Sequence, residues 1–164
     1  MPDYGVAFNQ ATVTTGYKTA GFLLASSTGT VPVPLRRFKL FEFGIGQSGT
    51  PNATDTALQW DVSRQTSSGT GTATIPNPLD SADAACGAVM NSNASAEPTY
   101  AAQGSGLSLW NLAINQRAAY REILKDGKEL VVAAVTSNGL GIRVQALTAS
   151  GYASGAGGYM HFTE

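Results

Sequence analysis

The sequence predicts an all-β protein, a single jelly-roll β-sandwich with one short helix and an extended N-terminal arm. Three observations carry that expectation. Apolar residues recur with period two in short runs, Gly and Pro punctuate the chain between those runs, and Asp-Gly and Asn-Gly pairs stand where tight turns between strands need positive φ. At 164 residues the chain has the size of one domain. It shows no repeat of 20 to 50 residues, which disfavours propellers and solenoids.

Residues 1 to 34 read as the arm and residues 35 to 164 as the jelly-roll body. In the first segment, short apolar clusters such as Val6 to Phe8 and Phe22 to Ala25 stand between Thr-, Ser- and Gly-rich stretches. Val31-Pro-Val-Pro34 then fixes an extended backbone and marks the boundary. A solubilising tail would be poor in aromatics, whereas this segment holds Tyr4, Phe8, Tyr17 and Phe22, the candidate anchors of an arm that binds another protein.

The body opens on a strand from Arg36 to Ile45, with Phe41, Phe43 and Ile45 on one face and Phe38 and Leu40 on the other, so both faces meet protein. Arg36 and Arg37 at its start, woven among aromatics, are expected in the core or pairing with acids of a neighbouring subunit. Leu58, Trp60 and Val62 alternate with Gln59, Asp61 and Ser63, the pattern of a half-buried antiparallel strand. Asn77 to Cys86 reads as the helix, with Asn77 as N-cap, Pro78 in the first helical position and Asp80 near the positive end of the dipole. Ser108 to Asn115 is a strand with Trp110, Leu112 and Ile114 on one face. Strands over 119–124, 129–135 and 140–147 follow as a meander joined by Asp126-Gly127 and Asn138-Gly139, and 159–163 closes the chain.

Charged residues are only 13% of the chain, against about 25% in ordinary domains. A weakly charged surface suits permanent burial in an assembly. Ten basic and eleven acidic residues leave a net charge of −1, which disfavours nucleic acid and anionic membranes as partners. Cys86, the single cysteine, excludes an intrachain disulfide and fits a reducing cytoplasm. The N-terminus has an acid where a signal peptide carries positive charge, and no stretch is long and apolar enough for a spanning helix, so a soluble, unprocessed protein is expected. The sequons at Asn52 and Asn93 read as loops.

Chemistry-bearing motifs are weak. Gly44-Ile-Gly-Gln-Ser-Gly49 satisfies GxGxxG, but Thr50-Pro51 follows where a phosphate-binding helix must begin, so the stretch reads as a strand-connecting loop. His161 is the sole histidine and has neither a nucleophile elbow nor a catalytic-cysteine context, so it reads as a half-exposed strand residue. Cys86 reads as a small buried hydrophobe. Asp55, Asp61, Asp80, Asp83 and Glu97 have no calcium-loop spacing; Asp55 reads as a turn residue, and the helix dipole accounts for Asp80 and Asp83. No enzyme, cofactor or metal site is expected. Trp60 and Trp110 are expected in the core or at a subunit interface, with a sugar-stacking platform as the alternative.

Leu35-Arg-Arg-Phe-Lys-Leu-Phe-Glu-Phe-Gly44, Ala57-Leu-Gln-Trp-Asp-Val62, Asn77-Pro-Leu-Asp80 and the stretch from Gly127 to Arg143 together resemble the small jelly-roll virion proteins of tailed phages over residues 35 to 164. The resemblance implies a tumour-necrosis-factor-like body and a homotrimeric decoration, or cement, protein. It would be made in the host cytoplasm, sit on the capsid exterior, bind the major capsid protein and have no catalytic residue. The competing expectation is a carbohydrate- or receptor-binding jelly roll of a phage fibre or bacterial surface protein.

Overall fold

A computed structural model describes residues 1–25, 36–101, 108–135, 137–148, 152 and 154–164. The first sheet holds β1 (Asp3–Gln10), β3 (Phe38–Ser48), β6 (Asn77–Pro78), β10 (Tyr120–Ile123), β11 (Leu130–Val132) and β13 (Gly155–Thr163). The second holds β2 (Lys18–Leu24), β4 (Ala57–Ser67), β5 (Thr70–Thr74), β7 (Val89–Ala96), β8 (Thr99–Tyr100), β9 (Trp110–Asn115) and β12 (Gly139–Ala146).

Pairing is nested and antiparallel. β1 pairs with β13, β2 with β12, β3 with β10 and β11, and β4 with β9. Such nesting is one long hairpin folded over on itself. The cross-pairs β13–β3 and β12–β4 then close it into two sheets, which is the jelly roll that the sequence predicts. The excursion between β4 and β9 adds β5, β7 and β8 to the second sheet and β6 to the edge of the first.

The core lies between the sheets. Leu58, Trp60 and Val62 of β4 point inward as their alternation predicts, opposite Tyr4, Val6 and Phe8 of β1 and Met160 and Phe162 of β13. In β3 the inward phase switches. His161 faces Glu42 but Phe162 faces Leu40, so Phe41 is the extra residue of a β-bulge. Phe38 and Leu40 therefore enter the core with Phe43 and Ile45, while Phe41 and Glu42 turn outward. One bulge accounts for apolar residues of both parities in a single strand.

Three expectations are corrected. The segment expected as an arm supplies β1, between β13 and β6, and β2, between β7 and β12. Tyr4 and Phe22 are fully buried and Phe8 nearly so; a Cβ on Gly21 would lie 2.6 Å from Phe8 Cβ, so the two strands of this segment meet inside the core. The alternation of Tyr4, Val6 and Phe8 with Gly5, Ala7 and Asn9 is the signal for β1. The boundary expected at Val31–Pro34 lies outside the described residues.

The described residues contain no helix. Asn77 and Pro78 pair with Gly5 and Tyr4, and Leu79 N–H donates to Asp3 O at 2.8 Å. Asp80 accepts Ala82 N–H on its side chain and Asp83 N–H on its backbone, so the residues chosen as a cap and first turn close turns instead. Without a core-facing apolar stripe, nothing beyond those local bonds favours a helix.

The expected meander is not one. β10 and β11 both pair with β3, and β12 belongs to the other sheet. The turn at Asp126-Gly127 does form, with φ of 77° at Gly127, yet it joins two strands that share a partner rather than each other. The sequon residue Asn93 lies in β7, and Gly44 to Ser48 of the GxGxxG motif belong to β3.

Candidate functional site

The two outer faces differ. Alternation in the first sheet turns Gly5, Ala7 and Asn9 of β1 outward, beside Gly157, Tyr159 and His161 of β13. Register then sets Ala7, Tyr159, Gly44 and Arg121 in one row across four strands, with Gly5, His161, Glu42 and Ile123 in the next. Among the described residues, no strand crosses this face. Ala7, Asn9, Arg121 and Ile123 are exposed, and Phe41, Tyr159 and His161 are half-buried.

Glu42 is the centre of this face. Its carboxylate accepts Arg121 Nε at 2.8 Å and Nη2 at 2.9 Å, and Tyr159 Oη at 2.7 Å; His161 Nδ1 stands 3.7 Å away. The Arg121 hydrogen bonds draw its pKa down to about 2, with a smaller contribution from Tyr159 and against the opposing effect of burial. The bond to Glu42 raises the Tyr159 phenol in turn. A carboxylate so committed is an acceptor throughout the neutral range, so the cluster holds shape instead of moving protons. Tyr159 lies against bare backbone, since a Cβ on Gly44 would come within 2.2 Å of its ring. Glycine at 44 is therefore required by a close approach, not by a nucleotide. Tyr159, His161 and Phe41 form a tilted cluster, with ring centroids 4.9 Å apart for Tyr159–His161 and 6.2 Å for Phe41–His161.

The outer face of the second sheet is covered. Asp61, 1% exposed at its side chain, accepts Arg143 Nε at 2.8 Å, Arg143 Nη2 at 2.5 Å and Ser63 Oγ at 2.7 Å, and also Ser108 Oγ. The Arg143 guanidinium sits between the rings of Tyr17, 4.8 Å from its centroid, and Tyr100, 4.4 Å from its centroid. Tyr100 and Glu97 both bond Thr19 Oγ1, so the excursion between β4 and β9 is tied onto the sheet by a buried polar layer. Burial pushes the Tyr100 phenol well above its ordinary range.

The residues singled out from sequence separate accordingly. Tyr4, Phe8 and Phe22 are interior, and Tyr17 is partly buried against Arg143 with its hydroxyl accepting from Asn111. Trp60 is wholly in the core. Trp110 packs edge-on to Phe43 at 5.2 Å and beside Tyr120 at 5.4 Å, so the two tryptophans make no open platform. Arg36 and Arg37 are exposed. Cys86 is buried, and burial reinforced by Glu164 pushes its thiol up to about 12. Asp55 lies exposed in an ion pair with Arg117 at 2.9 Å. Sequence reasoning passed over Glu42, Arg121 and Tyr159, because only the register of β3, β10 and β13 brings them together. No protein-family model matches the chain, and no curated protein matches it in sequence.

Proposed function

We propose that the protein is a structural virion protein that binds the outside of a tailed-phage capsid as a homotrimer and stabilises the shell by bridging capsomers. The observation that carries this reading is the outer face of the first sheet, which no strand crosses among the described residues. Beside Asn9 and Ile123 it presents mostly small and aromatic residues, and the Glu42–Arg121 pair at its centre neutralises its own charge, so a second protein surface can dry it without stranding an ion. The sheet opposite already has its polar layer closed over by the chain's own excursion. A chain with 13% charged residues suits such permanent contacts, and three linked copies multiply individually weak contacts to a shell through effective concentration.

The carbohydrate-binding alternative loses its simplest support, because Trp60 is buried and Trp110 is packed edge-on. Light scattering at micromolar concentration should give three times the 16.9 kDa chain mass, and Ala7→Glu, placed on the open face, should shift the mass toward a monomer. The wild-type trimer should also co-sediment with expanded phage capsids that lack their own decoration. A monomeric wild-type protein that binds glycans on an array, and no shell, would replace this reading by the alternative.

A further inference from the structure

Arg37 and Arg64 open onto one pocket of about 450 Å³ at the end of the sandwich where β3 begins and β11 ends, with Gln65, Thr66, Val131 and Asn138 in its lining. Arg64 is already oriented there, its Nη1 donating to Val131 O at 2.5 Å, which leaves the rest of its fork free. All eleven acidic residues of the chain lie in the described part, and none of the ion pairs they form includes Arg37 or Arg64. Two arginines thus line one concavity, and no carboxylate of their own chain pairs with either. Arginine forks match carboxylates with two parallel bonds, and a fork held in advance loses less entropy on binding.

We propose that this pocket binds a carboxylate carried on a short aliphatic stem, as presented by a Glu or Asp side chain of a partner protein. The stem follows from the lining, where Val131, Val132 and two alanines stand beside the polar groups. A nucleic-acid phosphate fits less well, because the net charge of −1 supplies no field to gather a polyanion. Binding of the carboxylate stands on the pocket alone; only its source in a partner protein rests on the capsid reading.

Glutarate is the probe. Titrated at constant ionic strength into labelled wild-type protein, it should move the Arg37 and Arg64 Nε–Hε resonances and the Gly139 amide along one saturating curve. Exposed Arg117 and Arg121 should stay still. Arg64→Gln, with an otherwise unchanged spectrum, should weaken the apparent affinity about tenfold. Shifts that never saturate, that appear equally at Arg117, or that inorganic phosphate reproduces at lower concentration would overturn the assignment. For the source, Arg37→Glu/Arg64→Glu should abolish co-sedimentation with capsids while leaving the oligomer mass unchanged. Unchanged capsid binding by that variant would overturn the protein source. Failure of the wild type to bind any shell would count against the capsid reading, with the glutarate result still standing.

Discussion

Asp61→Ala should be among the most damaging single substitutions in the protein. The change removes four acceptor contacts at a side chain 1% exposed and leaves the Arg143 guanidinium, itself 8% exposed, buried between two tyrosine rings with only Ser63 Oγ at 3.2 Å to receive it. Breaking a buried pair from one side typically costs about 3–5 kcal/mol, because an uncompensated charge stays behind. With a urea m-value of about 2 kcal/mol/M for a domain of this size, the unfolding midpoint should fall by about 1.5–2.5 M. Urea titration at one fixed protein concentration measures it, since self-association would make the midpoint concentration-dependent. The companion variant Asp61→Leu/Arg143→Met removes both charges at roughly conserved volume and should recover most of the loss. A single-variant shift below about 0.5 M would refute the reasoning, since it would mean that water reaches the orphaned guanidinium at little cost. A double variant as unstable as the single one would refute it differently, by showing that the pair contributes more than it costs to desolvate.

Two further outcomes follow from groups whose protonation the fold shifts. Glu42 is more acidic folded than unfolded, so its contribution is fully present above its unfolded pKa and is lost as pH falls through that value toward about 2. The urea midpoint of the wild type should therefore decline over that interval more steeply than that of Glu42→Gln, and parallel profiles would exclude Glu42 as a source of acid sensitivity. Cys86, buried and with its thiol pushed up to about 12, should resist a disulfide reagent at pH 8 in native protein and react promptly in urea. Prompt native labelling would mean that the segment around Gly87, tied to Glu164 at 2.8 Å, opens readily.

Periodicity made much of the fold legible. Leu58-Gln-Trp-Asp-Val62 alternates cleanly because β4 buries one side of its chain between the sheets, and a two-residue period survives in sequence whatever the partner strand. The same rule applied to Tyr4, Val6 and Phe8 identifies β1, although the Thr- and Gly-rich stretches around it resemble a loose arm. Local turn chemistry held at one of its two expected turns: Gly127 does adopt positive φ, whereas at Asn138-Gly139 the positive φ, 68°, falls on Ser137 and Gly139 already begins β12.

Partner choice was beyond those signals. A turn bends the chain, but hydrophobic burial decides which strand lies alongside, so β10 and β11 both line β3 while β12 crosses to the other sheet. The Asn77-Pro78 start satisfies helix-cap rules that extend over one turn, and an edge position beside β1 satisfies the same backbone without a helix. The candidate sites were less visible still. Glu42, Arg121 and Tyr159 come from strands far apart in the chain and meet only through their register. That register depends on a bulge at Phe41 that turns Glu42 outward. By itself, the sequence determined the all-β class, the inward face of β4 and the low surface charge, because each is local or compositional. Tertiary structure alone decided that β1 and β2 take places between strands of the two sheets, which outer face no strand crosses among the described residues, and that Arg37 and Arg64 share a pocket, because each depends on strands that approach only after the long hairpin has folded over on itself.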